Sequence, residues 1–208
     1  MASVTRKRLP AAVRRPLILD AALSEFAEYG YDGSSMGRIA AASDVGRTAL
    51  YDHFASKSEL FGALLASKEG ELIAHLREAI NTDAPTEERM RATLDAVFAF
   101  AEGDPDGWRL VFGEREPQDP ELAAELGRGR RRTVRLLAEM IAPDAERAGF
   151  DRRSNRAQVV FAQQLAAIRA AVEWWRAHPR AKRAELVEAS MVTLWSGVQG
   201  LERDGTVA

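Results

Sequence analysis

The sequence predicts an all-α fold of about nine helices: a small N-terminal three-helix domain followed by a larger helical bundle. Three observations carry that reading. Ala, Leu, Glu and Arg dominate while β-branched residues are sparse. Apolar residues recur every three or four positions through most of the chain, and no alternating stretch of strand type stands out. Helix start and stop signals punctuate the 208 residues repeatedly.

Taken in order, Pro16 stands where an apolar helical period begins, at a first-turn position where a missing N–H costs nothing. Ile18, Ala22 and Phe26 follow on one face, and Gly30 supplies the stop. Ser34 and Ser35 offer a cap for a second, short helix over 36–42, with Met36, Ile39 and Ala40 facing inward. After a turn at 43–46, a third helix over 47–53 turns Leu50, and Phe54 behind it, to the core. Ser56 and Glu59 form a capping box that opens a fourth. Its stripe of Leu60, Leu64, Leu65, Leu72, Leu76 and Ile80 runs to Asn81, so the domain boundary falls within a helix.

Beyond Pro85 a fifth helix carries Met90, Leu94, Val97, Phe98 and Ala101 and ends before Gly103. Asp104 and Pro105 restart a short sixth with Trp108, Val111 and Phe112, and Asp119 and Pro120 repeat that signal for a seventh, to about Ala142 before Pro143. Gly127 and Gly129 weaken its early part. An eighth helix, 154–177, stops at His178 and Pro179, and a ninth runs from Lys182 to Leu201. Both mix large apolar residues with Ala, Ser and Gly, which permits close helix approach, and they are the expected homodimer interface.

Composition excludes several classes. The chain has no cysteine, and His53, His75 and His178 are too far apart for a local ligand pair, so neither metal nor other cofactor is expected. The longest uncharged run, 189–201, is short of the roughly 20 residues that span a bilayer. No membrane association and a cytoplasmic location are the expectations. No Ser/His/Asp order, Gly-rich phosphate loop or carboxylate pair argues for an enzyme. Net charge is only -2, but residues 1–15 hold Arg6, Lys7, Arg8, Arg14 and Arg15 with no acid. Such a basic arm tracks phosphates or is simply a solvated tail.

Two short helices joined by a four-residue turn and buttressed by a preceding helix form the layout that lays its second helix in a major groove. The string from Gly30 to Phe54 (GYDGSSMGRIAAASDVGRTALYDHF), followed by Ser56 to Phe61 (SKSELF), closely resembles the TetR (AcrR-type) family of transcriptional regulators. The resemblance is specific over residues 13–72. It implies a basic arm at 1–12, a DNA-binding domain at 13–72 with its helix-turn-helix at 35–54, and a ligand-sensing and dimerisation domain at 73–208. It further implies a homodimer that represses from a palindromic double-stranded operator and lets go when a small-molecule effector binds.

By position, the resemblance implies phosphate contacts for Ser35 and Lys57 and places Tyr51 and His53 at the two aromatic positions of the family signature. Arg47, Thr48 and Tyr51 would face base edges; Arg can bond guanine bidentately, and Thr offers a hydroxyl or a methyl. Four residues depart from the pattern or strain it. Asp44 stands where the family most often has Gly, though Asp tolerates a left-handed backbone. Gly46 replaces a Ser or Thr cap and Thr48 a common Gly. Asp52 puts a carboxylate near phosphates, tolerable where it accepts from a cytosine amino group.

Outside the motif, Arg128, Arg130, Arg131, Arg132 and Arg135 read as a solvated face paired with acids such as Glu125 and Glu139, not as a second nucleic-acid site. Trp108, Trp174, Trp175 and Trp195 read as core or interface. Gln163 and Gln164 flank the apolar stripe of the eighth helix, with solvent or a ligand as partner. An effector pocket enclosed by the fifth to eighth helices would be lined by Phe98, Trp108, Phe112, Leu137, Phe161 and Gln164. The rival reading is a helical adaptor that binds only protein through its last two helices.

Overall fold

The computed structural model describes residues 10–80, 83–113, 117–147 and 155–204, and within them the chain forms nine helices and no strand. The first, α1 (Ala11–Gly33), begins before Pro16 and carries that proline inside it. The two alanines and Val13 are good enough helix neighbours to start the helix early, at the cost of the bond Pro16 cannot donate back to Ala12. Gly30 does interrupt the helix: at φ 70°, ψ 177° it adopts a backbone that only glycine reaches without strain, and one further turn leads to Gly33. Ser34 closes that turn with both its N–H (3.3 Å) and its hydroxyl (2.6 Å) on the Tyr31 carbonyl.

Helices α2 (Met36–Ala42) and α3 (Arg47–His53) lie where the sequence places them, and α4 (Lys57–Ile80) opens on the expected box. The Ser56 hydroxyl accepts from the Glu59 N–H at 3.1 Å, while the Glu59 carboxylate reaches back to the N–H of Ala55 at 2.7 Å, one residue before the usual place. Then come α5 (Thr86–Gly103) and α6 (Pro105–Phe112), whose Asp104 cap accepts from the Gly107 N–H at 2.8 Å. The last three are α7 (Pro120–Arg147), α8 (Asn155–Ala177) and α9 (Arg183–Asp204). Contrary to the sequence reading, α7 does not stop at Ala142 but continues through Pro143 to Arg147.

One apolar core runs the length of the molecule. Ile18, Ala22 and Phe26 of α1 meet Ile39 of α2, Leu50 of α3 and Leu60 and Leu64 of α4, all buried. Farther along α4, Leu72 and Leu76 continue the stripe. That helix packs against α5, α6 and α7, α5 packs against α9, and α1 packs against α6. Each fully buried leucine contributes about 1.5–3 kcal/mol, so this stripe, together with the packing of α1 on α6, anchors the three N-terminal helices to the bundle. Gly129 lies where α7 faces α4: a Cβ there would stand 3.9 Å from Glu69 Oε1 and 4.0 Å from Leu65, ordinary contact distances. There Arg132 faces the buried Glu69 at 3.8 Å, while Arg128, Arg131 and Arg135 are exposed; the side chains of Glu125 and Arg130 lie outside the described residues.

Candidate nucleic-acid interface

Helix α2 is set against α1 by a buried carboxylate. Glu25 Oε1 accepts from the Ser35 N–H at 2.9 Å and from Arg38 Nε at 2.6 Å, and Arg38 also donates to the Gly33 carbonyl. Its guanidinium lies 4.7 Å from the Tyr29 ring centre. The Ser35 hydroxyl accepts from the Arg38 N–H at 3.1 Å, which caps α2 and leaves its own proton to donate. In the turn that follows, Asp44 takes φ 56°, the left-handed backbone for which the sequence puts Asp in place of Gly. Gly46 gives α3 no side-chain cap.

Helix α3 divides cleanly into two faces. Leu50 is wholly buried, with Phe54 just beyond the helix at 3% exposed. Arg47, Thr48, Tyr51 and Asp52 form one contiguous exposed face, with Tyr51 45% exposed, because positions i, i+1, i+4 and i+5 share a side of a helix. The Arg47 guanidinium lies over α2, 3.5 Å from where a Cβ on Gly37 would stand. His53 is half-buried, its ring 6.4 Å from that of Phe54.

Lys57 differs from the expectation of a side chain extended toward phosphate. Its ammonium donates to the carbonyls of Tyr31 (2.7 Å) and Ser34 (3.2 Å) and lies 4.3 Å from the Tyr31 ring centre, tying the start of α4 to the end of α1. Tyr31 in turn stacks on Phe26 and meets Phe61 edge-on at 5.3 Å. Burial, with the charge of Asp119 adding to it, raises the Tyr31 phenol above its ordinary pKa. Of the basic arm, Arg15 is exposed with its guanidinium 5.5 Å from the Phe54 ring centre; Arg6, Lys7 and Arg8 lie outside the described residues.

The effector-lining residues expected from sequence are dispersed. Phe98 is fully buried and meets Trp175 edge-on; Trp108 is equally buried, its ring centre 4.3 Å from that of Phe112. Phe161 and Gln164 are half-buried on α8, and the side chain of Leu137 lies outside the described residues. None of the five described ones borders the cavity of about 540 Å³ found between α1, α4, α6, α7 and α8. That cavity is walled by Phe26, Tyr31, Phe61, Leu65, Leu110 and Leu126, with Glu28, Arg109, Glu173 and Arg176 also lining it. Sequence reasoning missed it because these residues come from five helices and show individually only as members of helical stripes. Trp174, read from sequence as core or interface, is 53% exposed and stacks on His178, outside the core. Among the described residues no group of three or more acids and histidines could hold a metal, and no helix is long and apolar enough to cross a membrane.

The deciding match is with the model of the bacterial regulatory proteins of the tetR family, over residues 18–64, the stretch that holds the capped α2, the left-handed turn and the two-faced α3. Residues 18–64 carry a TetR-type DNA-binding domain. Along its length this chain is 29% identical over 192 residues to the HTH-type transcriptional activator FasR of Mycolicibacterium smegmatis, covering 92% of this chain and 85% of that one. Among solved structures its fold is similar to that of a TetR-like transcriptional regulator from Rhodococcus sp. RHA1, with a TM-score of 0.73 at 22% identity, covering 93% of this chain and all of that one. The transcriptional regulator FadR from Bacillus subtilis, solved in complex with stearoyl-CoA, also shares the fold, with a TM-score of 0.73 at 20% identity over 88% of this chain and 98% of that one. With that domain and a relative matched along most of its length, the protein is a DNA-binding transcriptional regulator of helix-turn-helix type, and the adaptor reading falls away.

Proposed function

We propose that the protein is a homodimeric repressor that seats its two α3 helices in successive major grooves of a palindromic operator and is released by a small-molecule effector. The observation that carries this reading is the exposed quartet Arg47, Thr48, Tyr51 and Asp52 on a helix locked inward by Leu50. In this reading Arg47, Thr48 and Tyr51 meet base edges, and His53 and the Ser35 hydroxyl meet the sugar-phosphate backbone. Lys57 gives two of its three ammonium protons to carbonyls and the third to a phosphate. The division into an arm at 1–12, a DNA-binding part at 13–72 and a sensing and pairing part at 73–208 belongs to the same proposal, as does a cytoplasmic location.

Pairing through α8 and α9 is supported by what those helices leave uncovered. Val159 is 56% and Val192 70% exposed, and Ala162, Ala166 and Ala170 form an exposed stripe leading to Trp174 on α8. Small residues let a partner helix come close. For the effector, the stearoyl-CoA of FadR from Bacillus subtilis makes a long-chain acyl thioester the first class to test. Release requires only that the effector bind the DNA-incompetent state more tightly; a tenfold loss of operator affinity corresponds to about 1.4 kcal/mol of coupling. The test is fluorescence anisotropy on a selected duplex, with stearoyl-CoA titrated into the bound complex. Displacement supports the reading, and a complex whose affinity is unchanged at saturating thioester removes that effector class.

A further inference from the structure

The cavity at the foot of α1 has a charge distribution that a purely structural packing gap does not explain. Its volume, about 540 Å³, lies in the range of small-molecule sites. Its wall is half apolar and half polar, with Phe26, Phe61, Leu65, Leu110 and Leu126 on the apolar side and the charged residues contributed by α1, α6 and α8. The acids face water: Glu28 is exposed and hydrogen-bonds the exposed Tyr29 phenol, and the Glu173 side chain is 66% exposed. Arg176 is the inward charge, with three-quarters of its side chain buried. Among the described residues its ion pair is with Glu173 at 3.7 Å, too long for a hydrogen bond. A guanidinium carries five donors in a planar fork, and that of Arg176, which lines the cavity, is not held by Glu173 in a hydrogen bond. Across the cavity Arg109 bonds Asp106 at 3.0 Å through one nitrogen, Nη1.

We propose that this cavity binds a compact carboxylic acid with an apolar body, its carboxylate held by Arg176 and Arg109 and its body against Phe61, Leu65 and Leu126. A carboxylate matches the arginine fork bidentately, and a monoanion with an apolar tail suits a wall of this composition better than a multiply charged phosphate does. The site lies where binding would be felt by the DNA-reading helices. Gly30 and Tyr31, at the bend of α1, line it; the Tyr31 carbonyl is the acceptor for Lys57, and the Gln118 N–H bonds Asp32 at 3.0 Å just beyond. An occupant therefore sits between α6 and α8 on one side and the last turn of α1 on the other. Neither Phe98 nor Trp108 lines this site, and its existence does not depend on the operator reading.

Isothermal titration calorimetry on the full-length protein without DNA tests it, with 4-phenylbutyrate and its neutral amide, 4-phenylbutyramide, as probes. The acid is expected to bind at least tenfold more tightly than the amide. Arg176→Gln removes that preference while leaving the amide's affinity in place, and the more exposed Arg109→Gln weakens the acid severalfold. Equal binding of acid and amide, no heat from either, or full acid preference in both variants would overturn the assignment. Because no DNA is present, such a failure leaves the regulator reading intact, and a failure of DNA selection leaves this site intact.

Discussion

The ammonium of Lys57, the first residue of α4, sits 2.7 Å from the carbonyl oxygen of Tyr31, in the last turn of α1. The long helix that carries the bundle is thereby fastened to the segment that holds α2, through two carbonyl acceptors and the Phe26, Tyr31, Phe61 cluster; in the proposed reading a tilt of α4 would reach the exposed face of α3 by this route.

Lys57→Ala and Arg47→Ala should therefore fail in different ways. Arg47→Ala weakens specific binding by roughly 1–3 kcal/mol and relaxes preference at one base position. Lys57→Ala weakens all duplexes alike and also lowers the melting temperature, since two carbonyls lose their donor. Anisotropy across operator variants, paired with thermal melts, checks both. Identical profiles for the two variants would contradict the assignment of roles.

How much of this was legible in the sequence follows from the range of the interactions. Caps are local, so Ser35, Ser56 and Asp104 were readable three residues from their partners. The αL backbone of Asp44 and the break at Gly30 were readable for the same reason. Pro16 and Pro143 misled because a proline inside a helix removes one backbone bond, a loss that the turns on either side of it outweigh. Glu25, ten and thirteen residues from its partners, and the five-helix cavity left no periodic trace.

The left-handed turn gives a stability test. Asp44→Asn should leave unfolding in urea nearly unchanged, because Asn tolerates positive φ, whereas Asp44→Val should cost about 1–2 kcal/mol. A valine variant as stable as the parent would show that the turn relaxes out of the left-handed region.

Lys68 gives a pH test. Burial lowers its pKa, but hydrogen bonds to Asp104 and Glu71 outweigh that, and the net shift is upward from 10.5. A raised pKa in a cationic group means that its stabilisation is complete below the unfolded value and is lost as pH climbs through the folded one. Melting temperature measured from pH 9 to 11.5 should fall more steeply for the parent than for Lys68→Met. Parallel curves would remove the ion pair with Asp104, at 2.9 Å, from the stability of the α4 and α6 corner.

The exposed alanine stripe of α8 gives an assembly test. Ala166→Arg and Ala170→Arg place a long cation on the proposed pairing face, and light scattering after gel filtration should report monomers that retain helical circular dichroism. Dimers that persist in both variants would move the interface elsewhere.

If the exposed face of α3 reads duplex sequence, selection from a random double-stranded library will reveal it. The account predicts enrichment of two inverted half-sites about one helical turn apart, centre to centre, with Arg47→Ala losing preference at one position in each. Recovery of no preferred sequence at any salt concentration, or of an unchanged motif with the Arg47, Thr48 and Tyr51 side chains all removed, would contradict it.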